Sequence, residues 1–213
     1  MMLARLALAA ALAVTPPVAM AETTVERAEP YDLLFRQGTL DGLDRSQTLT
    51  YDRTVQNSLA PDAEARDTGT IKLDIRDGAD IEEAVLTFWQ DERFRGLGEF
   101  PASVGNPMIL YFVETVVRDM AESAGGSPFY IRNRVKEALV SPAEIETDGE
   151  TVTVTMRPFA DDPNAAQMRG FGDLALRVRM SDETPGWYDL LEATVPGTDG
   201  PVYASTMQFE GVE

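Results

Sequence analysis

Two neighbouring stretches of the chain repeat apolar residues at the spacing of an α-helix. From Pro107 to Ser123, apolar residues recur three and four positions apart and form one broad apolar face. Asn106 is a favourable N-cap residue, and proline suits the first position of a helix because its missing amide hydrogen would be unpaired there. A second helix follows from Pro128, after a Gly-Gly pair that allows the positive φ of a helix end. The pattern therefore predicts a helical hairpin.

Alternation of apolar and polar residues before and after this hairpin predicts β-strands. It is clearest in segment 69–76, where Ile71, Leu73 and Ile75 alternate with polar residues. Turn sequences such as Asp77-Gly78 separate the strands, and short turns suit antiparallel pairing. The predicted strands, about nine in all, are 48–56, 69–76, 81–90 and 93–99 before the helices, and 144–147, 151–157, 173–180, 187–195 and 202–209 after them.

The order of these elements predicts an α+β fold, because strands, helices and strands follow one another in blocks and do not alternate as βαβ units. An antiparallel sheet of this many twisted strands curls. We therefore expect a single curved antiparallel sheet, a half-barrel of about nine strands, wrapped on a central helical hairpin. Residues 31–37 are predicted to form one or two helical turns. Residues 22–30 show no periodicity and are predicted to be a loose N-terminus.

The N-terminal segment has the features of a cleaved secretory signal peptide. Arg5 precedes an apolar run from Leu6 to Val14, and Ala19-Met20-Ala21 has the small-x-small pattern of a cleavage site. The apolar run is shorter than the roughly 20 residues that span a bilayer. We expect a signal peptide at 1–21, a single domain at 22–213 without a transmembrane segment, and a periplasmic or secreted location.

Two residue types with versatile chemistry are missing from the chain. It contains neither cysteine nor histidine, which excludes thiol nucleophiles, disulfides, Ser–His dyads and imidazole metal ligands. We therefore predict a protein that is not an enzyme and has no cofactor. The formal net charge of −18 becomes one unit more negative when Arg5 is removed, and such a charge argues against nucleic acid as a partner.

The order of four strands, a helical pair and five strands resembles that of the periplasmic lipoprotein carriers of the LolA/LolB-like type. Those proteins have an N-terminal helix and an open half-barrel of antiparallel strands over a helical insertion. The resemblance covers most of residues 22–213 and implies that an apolar or amphipathic ligand is bound or carried in the half-barrel. The stretches GNPMILYFVE, at 105–114, and SDETPGWY, at 181–188, also look like those of uncharacterised secreted bacterial proteins.

Aromatic and basic residues around the hairpin are the candidates for ligand binding. Aromatic side chains can line a cavity, although such a set more often forms core. The arginines of the second helix, with Lys136, form a basic cluster that can meet an anionic head group at the mouth of a cavity. A solvated helix face paired with acids is the more common arrangement. The predicted ligand-binding residues are Phe88, Tyr111, Phe112, Phe129, Tyr130, Arg132 and Arg134.

Three alternatives stay open at this point. A structural or interaction module of the cell envelope, with no small ligand, would have a filled core and bind its partner through a sheet edge or the second helix. A carboxylate hydrolase would need two facing acids, for which Glu99 and Glu114 are candidates. Asp161, Asp162 and Asn164 offer oxygen ligands for Ca²⁺, but an Asx-type turn is the preferred interpretation and no metal site is predicted.

Overall fold

The computed structural model describes residues 23–213, which fold as an α+β unit around one antiparallel sheet of ten strands with four helices. The predicted fold class and the single antiparallel sheet are confirmed, and the predicted signal peptide lies outside the described residues. The helices are α1 (Tyr31–Leu34), α2 (Asp62–Asp67), α3 (Met108–Ala124) and α4 (Pro128–Leu139). The strands are β1 (Thr24–Ala28), β2 (Thr48–Asn57), β3 (Gly69–Asp77), β4 (Glu82–Gln90), β5 (Arg93–Pro101), β6 (Ala143–Asp148), β7 (Thr151–Met156), β8 (Ala175–Ser181), β9 (Tyr188–Val195) and β10 (Tyr203–Val212).

The strand order across the sheet is β1-β6-β7-β8-β9-β10-β2-β3-β4-β5. Strands β2 to β5 form one meander and β6 to β10 form another, each built from antiparallel pairs of sequence neighbours. Pairing of β10 with β2 joins the two meanders into a single sheet. Since β1 and β5 lie at opposite edges and do not pair with each other, the sheet is not closed into a barrel.

Residues 24–28 form a strand, which corrects the predicted loose N-terminus. β1 pairs antiparallel with β6, from Thr24 opposite Thr147 to Ala28 opposite Ala143. Four of its five side chains are exposed, so no alternation of buried and exposed positions marks the strand in the sequence. The hydrogen bonds of the β-ladder hold it at the edge of the sheet, and it raises the strand number above the predicted nine.

Strand β2 has one buried, mainly apolar face and one exposed polar face, as the alternation predicts, whereas both faces of β4 are buried from Ala84 to Phe88. On β2 the side chains of Leu49, Tyr51 and Val55 are at most 1% exposed, whereas Asp52 and Thr54 are exposed. Burying one large apolar side chain is worth roughly 1.5–3 kcal/mol. The apolar face is therefore the main source of stability, and the helices cover it.

Helix α3 supplies the largest helical share of the core, and α4 adds Ile131, Val135 and Leu139. Phe112, Val116 and Met120 are spaced by four residues and are at most 1% exposed, as expected for the buried face of an amphipathic helix. Gly125, with a φ of 75°, ends α3, and α4 starts with Pro128 in its first turn. Both helices match their predicted positions to within the usual uncertainty of helix ends. Within residues 23–213, no helix combines the length and the apolar character that crossing a bilayer requires.

The predicted cap residue, Asn106, binds the start of α3 through its side chain, although Pro107 occupies the N-cap position and the helix begins one residue later than predicted. The amide of Met108 donates to Oδ1 of Asn106 at 3.0 Å, which pairs one of the free amides at the helix start. The Asn106 side-chain nitrogen donates to the Tyr51 hydroxyl at 3.1 Å and to the Gly186 carbonyl at 2.8 Å. This single buried amide therefore ties the start of α3 to β2 and to the turn that precedes β9.

A substitution at Gly105, just before α3, tests how closely the chain packs at this junction. It has a φ of 101°, and a Cβ at this position would overlap the Arg36 carbonyl oxygen, a backbone atom that cannot swing aside. We expect Gly105→Ala to destabilise the fold by about 1–3 kcal/mol, seen as a lower midpoint of urea unfolding. Gly125→Ala is the matched control, because Gly125 also has a positive φ but a Cβ there meets nothing within 4 Å. Equal losses in both variants would show that the overlap with Arg36 has no effect.

Candidate functional site

Core side chains occupy the space between the sheet and α3, where the sequence predicts a ligand. Phe88 on β4 is 2% exposed and Phe112 on α3 is fully buried. Tyr111 is partly exposed, and its hydroxyl accepts a hydrogen bond of 3.0 Å from Arg53. These three predicted ligand-binding residues therefore contribute to packing and to a buried polar network.

An ion pair between Arg53 on β2 and Asp119 on α3 lies inside this core. The two side chains are 0% and 1% exposed, and 3.4 Å separates Nη2 of Arg53 from Oδ2 of Asp119. The same oxygen accepts a hydrogen bond of 2.9 Å from the Tyr203 hydroxyl on β10, and Oδ1 accepts one of 2.8 Å from Arg118. Burial, together with the Asp119 charge, raises the pKa of Tyr203 well above its usual value, so the hydroxyl stays a donor. Asp119 thereby joins α3 to β2 and β10.

A second buried carboxylate, Asp67 at the end of α2, extends the network to the surface. Its side chain is 1% exposed, and Oδ2 accepts a hydrogen bond of 2.7 Å from Arg66. Arg118 and Arg95 lie 3.4 Å and 3.6 Å from its oxygens. Burial by itself raises the pKa of Asp67, but the hydrogen bond from Arg66 and the charges of Arg118 and Arg53 outweigh burial and lower the pKa. Asp67 is therefore ionised at neutral pH.

We expect stability to fall at acid pH and Asp67 to contribute to the fall. Because its pKa is lower in the folded than in the unfolded protein, the unfolded state takes up the proton first as the pH drops. This stabilisation is complete above the unfolded pKa of about 4 and is lost as the pH falls through the lower folded-state pKa. The urea midpoint should decrease between about pH 5 and pH 2, and less so in Asp67→Asn. An unchanged pH dependence in that variant would contradict this role.

Two of the predicted ligand-binding residues of α4 lie on its outer surface. Arg132 donates to Glu114 of α3 at 2.7 Å, so this surface pair links the two helices. The hydrogen bond from Arg132 lowers the pKa of Glu114. Phe129 is 76% exposed, which makes it the most exposed of the large apolar side chains in residues 23–213. Neither residue lines an enclosed site.

The other two predicted residues of α4, Tyr130 and Arg134, meet at Asp162. Nε of Arg134 forms an ion pair with this carboxylate at 2.8 Å, and the Tyr130 hydroxyl donates to it at 2.6 Å. The Asn164 amide also donates to Asp162 at 2.8 Å, so the Asx-type turn is confirmed. The hydrogen bond from Tyr130 is the largest of the effects that lower the pKa of Asp162. Within the described residues, no cluster of three or more acidic side chains is arranged to hold a metal ion.

Arg134 lines a cleft of about 280 Å³ at the point where β6 begins and β7 ends. The cleft is polar, and its walls come from β1, α4 and the loop after it, β6, β7 and the segment that follows β7. Three arginines reach it, although the chain has only 18 basic residues against 36 acidic ones. We call this feature the α4 cleft. Its charged lining residues are Arg27, Arg134, Glu137, Glu144, Arg157, Asp161 and Asp162.

Sequence reasoning missed the arginine in the core and two of the arginines in the α4 cleft. Arg53 shares its alternate positions on β2 with Tyr51 and Val55, so the period-two pattern does place it on the buried face. Arg27 and Arg157 reach the cleft through the pairing of β1 with β6 and through the end of β7. No local pattern in the sequence signals those two positions.

Comparisons of the chain with protein-family models, with curated proteins and with solved structures give no significant match. The resemblance to the LolA/LolB-like carriers therefore stays a prediction. The α4 cleft brings charged side chains from distant parts of the chain together around one volume.

Proposed function

We propose that the protein is an exported binding protein that takes a small amphipathic molecule, with the charged head of that molecule in the α4 cleft. The proposal is of binding or carriage without catalysis, in line with a chain that has no histidine and no cysteine. In this view the open sheet is a half-barrel around the hairpin of α3 and α4, and it provides a rigid frame for the cleft.

The observation that carries the proposal is a cleft lined by three arginines, of which Arg27 and Arg157 form no ion pair within residues 23–213 while Arg134 pairs with Asp162 and Glu137. Arg27, Arg134 and Arg157 line one cleft of about 280 Å³. Acidic residues outnumber basic ones by 36 to 18 in this chain, and a guanidinium group binds carboxylate or phosphate oxygens with two parallel hydrogen bonds. Such a cluster suits the anionic part of an amphipathic head group.

The packing of α3 favours the α4 cleft over the space beneath α3 as the place of binding. Phe112 and Val116 are fully buried in the core that α3 shares with the sheet. A ligand at that position would have to displace them. The cleft, in contrast, is open to solvent and requires no such rearrangement, because its charged groups already face a free volume.

The test is native mass spectrometry of the full chain, expressed with its N-terminal segment and purified from the periplasmic fraction. We expect a small molecule to co-purify. Ala160→Trp, which places a large side chain in the α4 cleft, should abolish this co-purification. Ala65→Trp is the matched control, since Ala65 is exposed on α2 and does not line the cleft. Absence of any bound mass, or equal occupancy in both variants, would contradict the proposal.

A second candidate function is an interaction module that binds another envelope protein. Its support is the filled core beneath α3 and the exposure of Phe129 on α4 and Phe94 on the edge strand β5, at 76% and 64%. A photo-crosslinking residue in place of Phe129 should then capture one defined protein, while the same residue at the exposed Asp148 should not. Identical capture patterns at the two positions would count against this function.

A further inference from the structure

The charges that line the α4 cleft fall into two groups according to whether they already have partners. Arg134 forms an ion pair with Asp162 at 2.8 Å and donates a hydrogen bond to Glu137 at 3.0 Å. Asp162 additionally accepts hydrogen bonds from Tyr130 and from the amide of Asn164. These charges satisfy one another and form a fixed wall of the cleft.

The remaining four charges have no such partner. Within residues 23–213, Arg27, Glu144, Arg157 and Asp161 form no ion pair, and all four are exposed. Arg27 and Glu144 are directly opposite each other in the register of β1 and β6, yet their side chains do not pair. The cleft therefore presents two free guanidinium groups and two free carboxylates.

This balance of charges restricts the chemical class of the ligand further than the proposed function does. The inference rests on that proposed function. A purely anionic ligand would satisfy the two arginines but would meet repulsion from two carboxylates in the same small volume. A purely cationic ligand would pair with the two carboxylates but would be repelled by the two arginines. A molecule that carries both charges can pair with all four side chains.

We infer that the α4 cleft binds a zwitterion, whose anionic group is held by Arg27 and Arg157 and whose ammonium group is held by Glu144 and Asp161. The shared chemistry is a primary ammonium close to a phosphate or a carboxylate. A lipid head group and a free amino acid or short peptide both supply it, and a volume of about 280 Å³ accommodates a group of that size.

Isothermal titration of the full-length mature chain with four small probes tests the inference. O-phosphoethanolamine and β-alanine are zwitterions with a phosphate and a carboxylate, and ethyl phosphate and ethylamine each carry one of the charges. We expect at least one zwitterion to bind about tenfold tighter or more than both single-charge probes, as loss of a charge-assisted hydrogen bond would cause. Preference for the phosphate zwitterion would identify a lipid head group, and preference for the carboxylate an amino acid or peptide.

Charge-removing variants locate the two halves of the zwitterion. Arg157→Gln and Glu144→Gln should each weaken binding of the preferred zwitterion about tenfold or more. Ethylamine binding should weaken only in Glu144→Gln. Arg93→Gln is the matched control, because Arg93 is exposed on β5 and does not line the cleft. All the replaced side chains are exposed, so circular dichroism should show unchanged folding.

The outcomes separate this inference from the proposed function. If ethyl phosphate or ethylamine binds in the cleft as tightly as the better of the two zwitterions, the cleft is a ligand site but the zwitterion assignment is wrong. If none of the four probes binds while a molecule co-purifies and is displaced by Ala160→Trp, the zwitterion assignment is again wrong and the proposed function stands. If nothing binds and nothing co-purifies, both are wrong.

Discussion

Asp119→Ala should destabilise the protein by about 3–5 kcal/mol, because it leaves the Arg53 guanidinium charged and unpaired inside the core. Arg53 is fully buried, and its Nε already has no hydrogen-bond partner within the described residues. Removing Asp119 also takes away the acceptor of the Tyr203 hydroxyl. The measurement is the free energy of unfolding from urea titration at pH 7, compared with the wild-type chain.

A double variant separates the cost of an unpaired charge from the worth of the ion pair. Replacing both partners, as Arg53→Met with Asp119→Leu, should restore most of the lost stability, since buried ion pairs are often no better than apolar groups of similar size. Glu114→Ala serves as the surface control. It breaks the exposed pair with Arg132 and should cost no more than about 1 kcal/mol. A loss in Asp119→Ala as small as that of the control would mean that water reaches Arg53.

Phe112→Ala should also cost about 3–5 kcal/mol, because it removes a fully buried ring and leaves a cavity that its neighbours fill only in part. Phe112 lies on the face of α3 that packs into the core shared with the sheet. Urea unfolding again provides the measurement, and a parallel titration with a hydrophobic dye reports whether the new cavity takes up an apolar probe.

Phe129→Ala is the matched control for this prediction. It deletes the same atoms from the neighbouring helix at a position that is 76% exposed, so the free energy of unfolding should change by no more than about 0.5 kcal/mol. If Phe112→Ala is tolerated as well as Phe129→Ala, the space beneath α3 is not packed as described. That result would favour a ligand site in the space between the sheet and α3.

Most of the sheet and both long helices could be predicted because their burial repeats regularly. Ile71, Leu73 and Ile75 alternate with polar residues on β3 and are all buried. Phe112 and Val116 recur at the helical spacing on α3. Where one face meets the core and the other meets water, the period of the pattern identifies the element directly.

The elements that escaped prediction lack that contrast between faces. β1 is an edge strand with almost all of its side chains exposed, so the β-ladder with β6 stabilises it and burial contributes little. In α2, the buried residues are Ala63 and the carboxylate Asp67, which a hydropathy pattern does not recognise as an inward face. The alternation on β2 places Arg53 at a buried position, but its partner Asp119 comes from a distant helix. No local pattern therefore identifies this arginine as part of the core.

The candidate site could be predicted only in part, because its charged residues come from segments that are far apart in the sequence. The sequence singles out Arg134 through its basic neighbours on α4, and Arg134 does line the cleft. The charges that complete the cleft come from β1 and from the end of β7, which are separated from α4 along the chain. Whether these residues meet depends on which strands pair, and no local periodicity in the sequence indicates the pairing of distant strands.

Nuclear magnetic resonance mapping of ligand contacts tests the central claim, binding in the α4 cleft, most directly. The protein, labelled with ¹⁵N, would be titrated with O-phosphoethanolamine and, separately, with β-alanine. We predict that the amide signals of Ser141, Glu144, Arg157 and Asp161 shift in a saturable way, while those of Phe112 and Val116 stay unchanged. Shifts confined to α3 and the strands beneath it, or no saturable shift at all, would contradict binding in the α4 cleft.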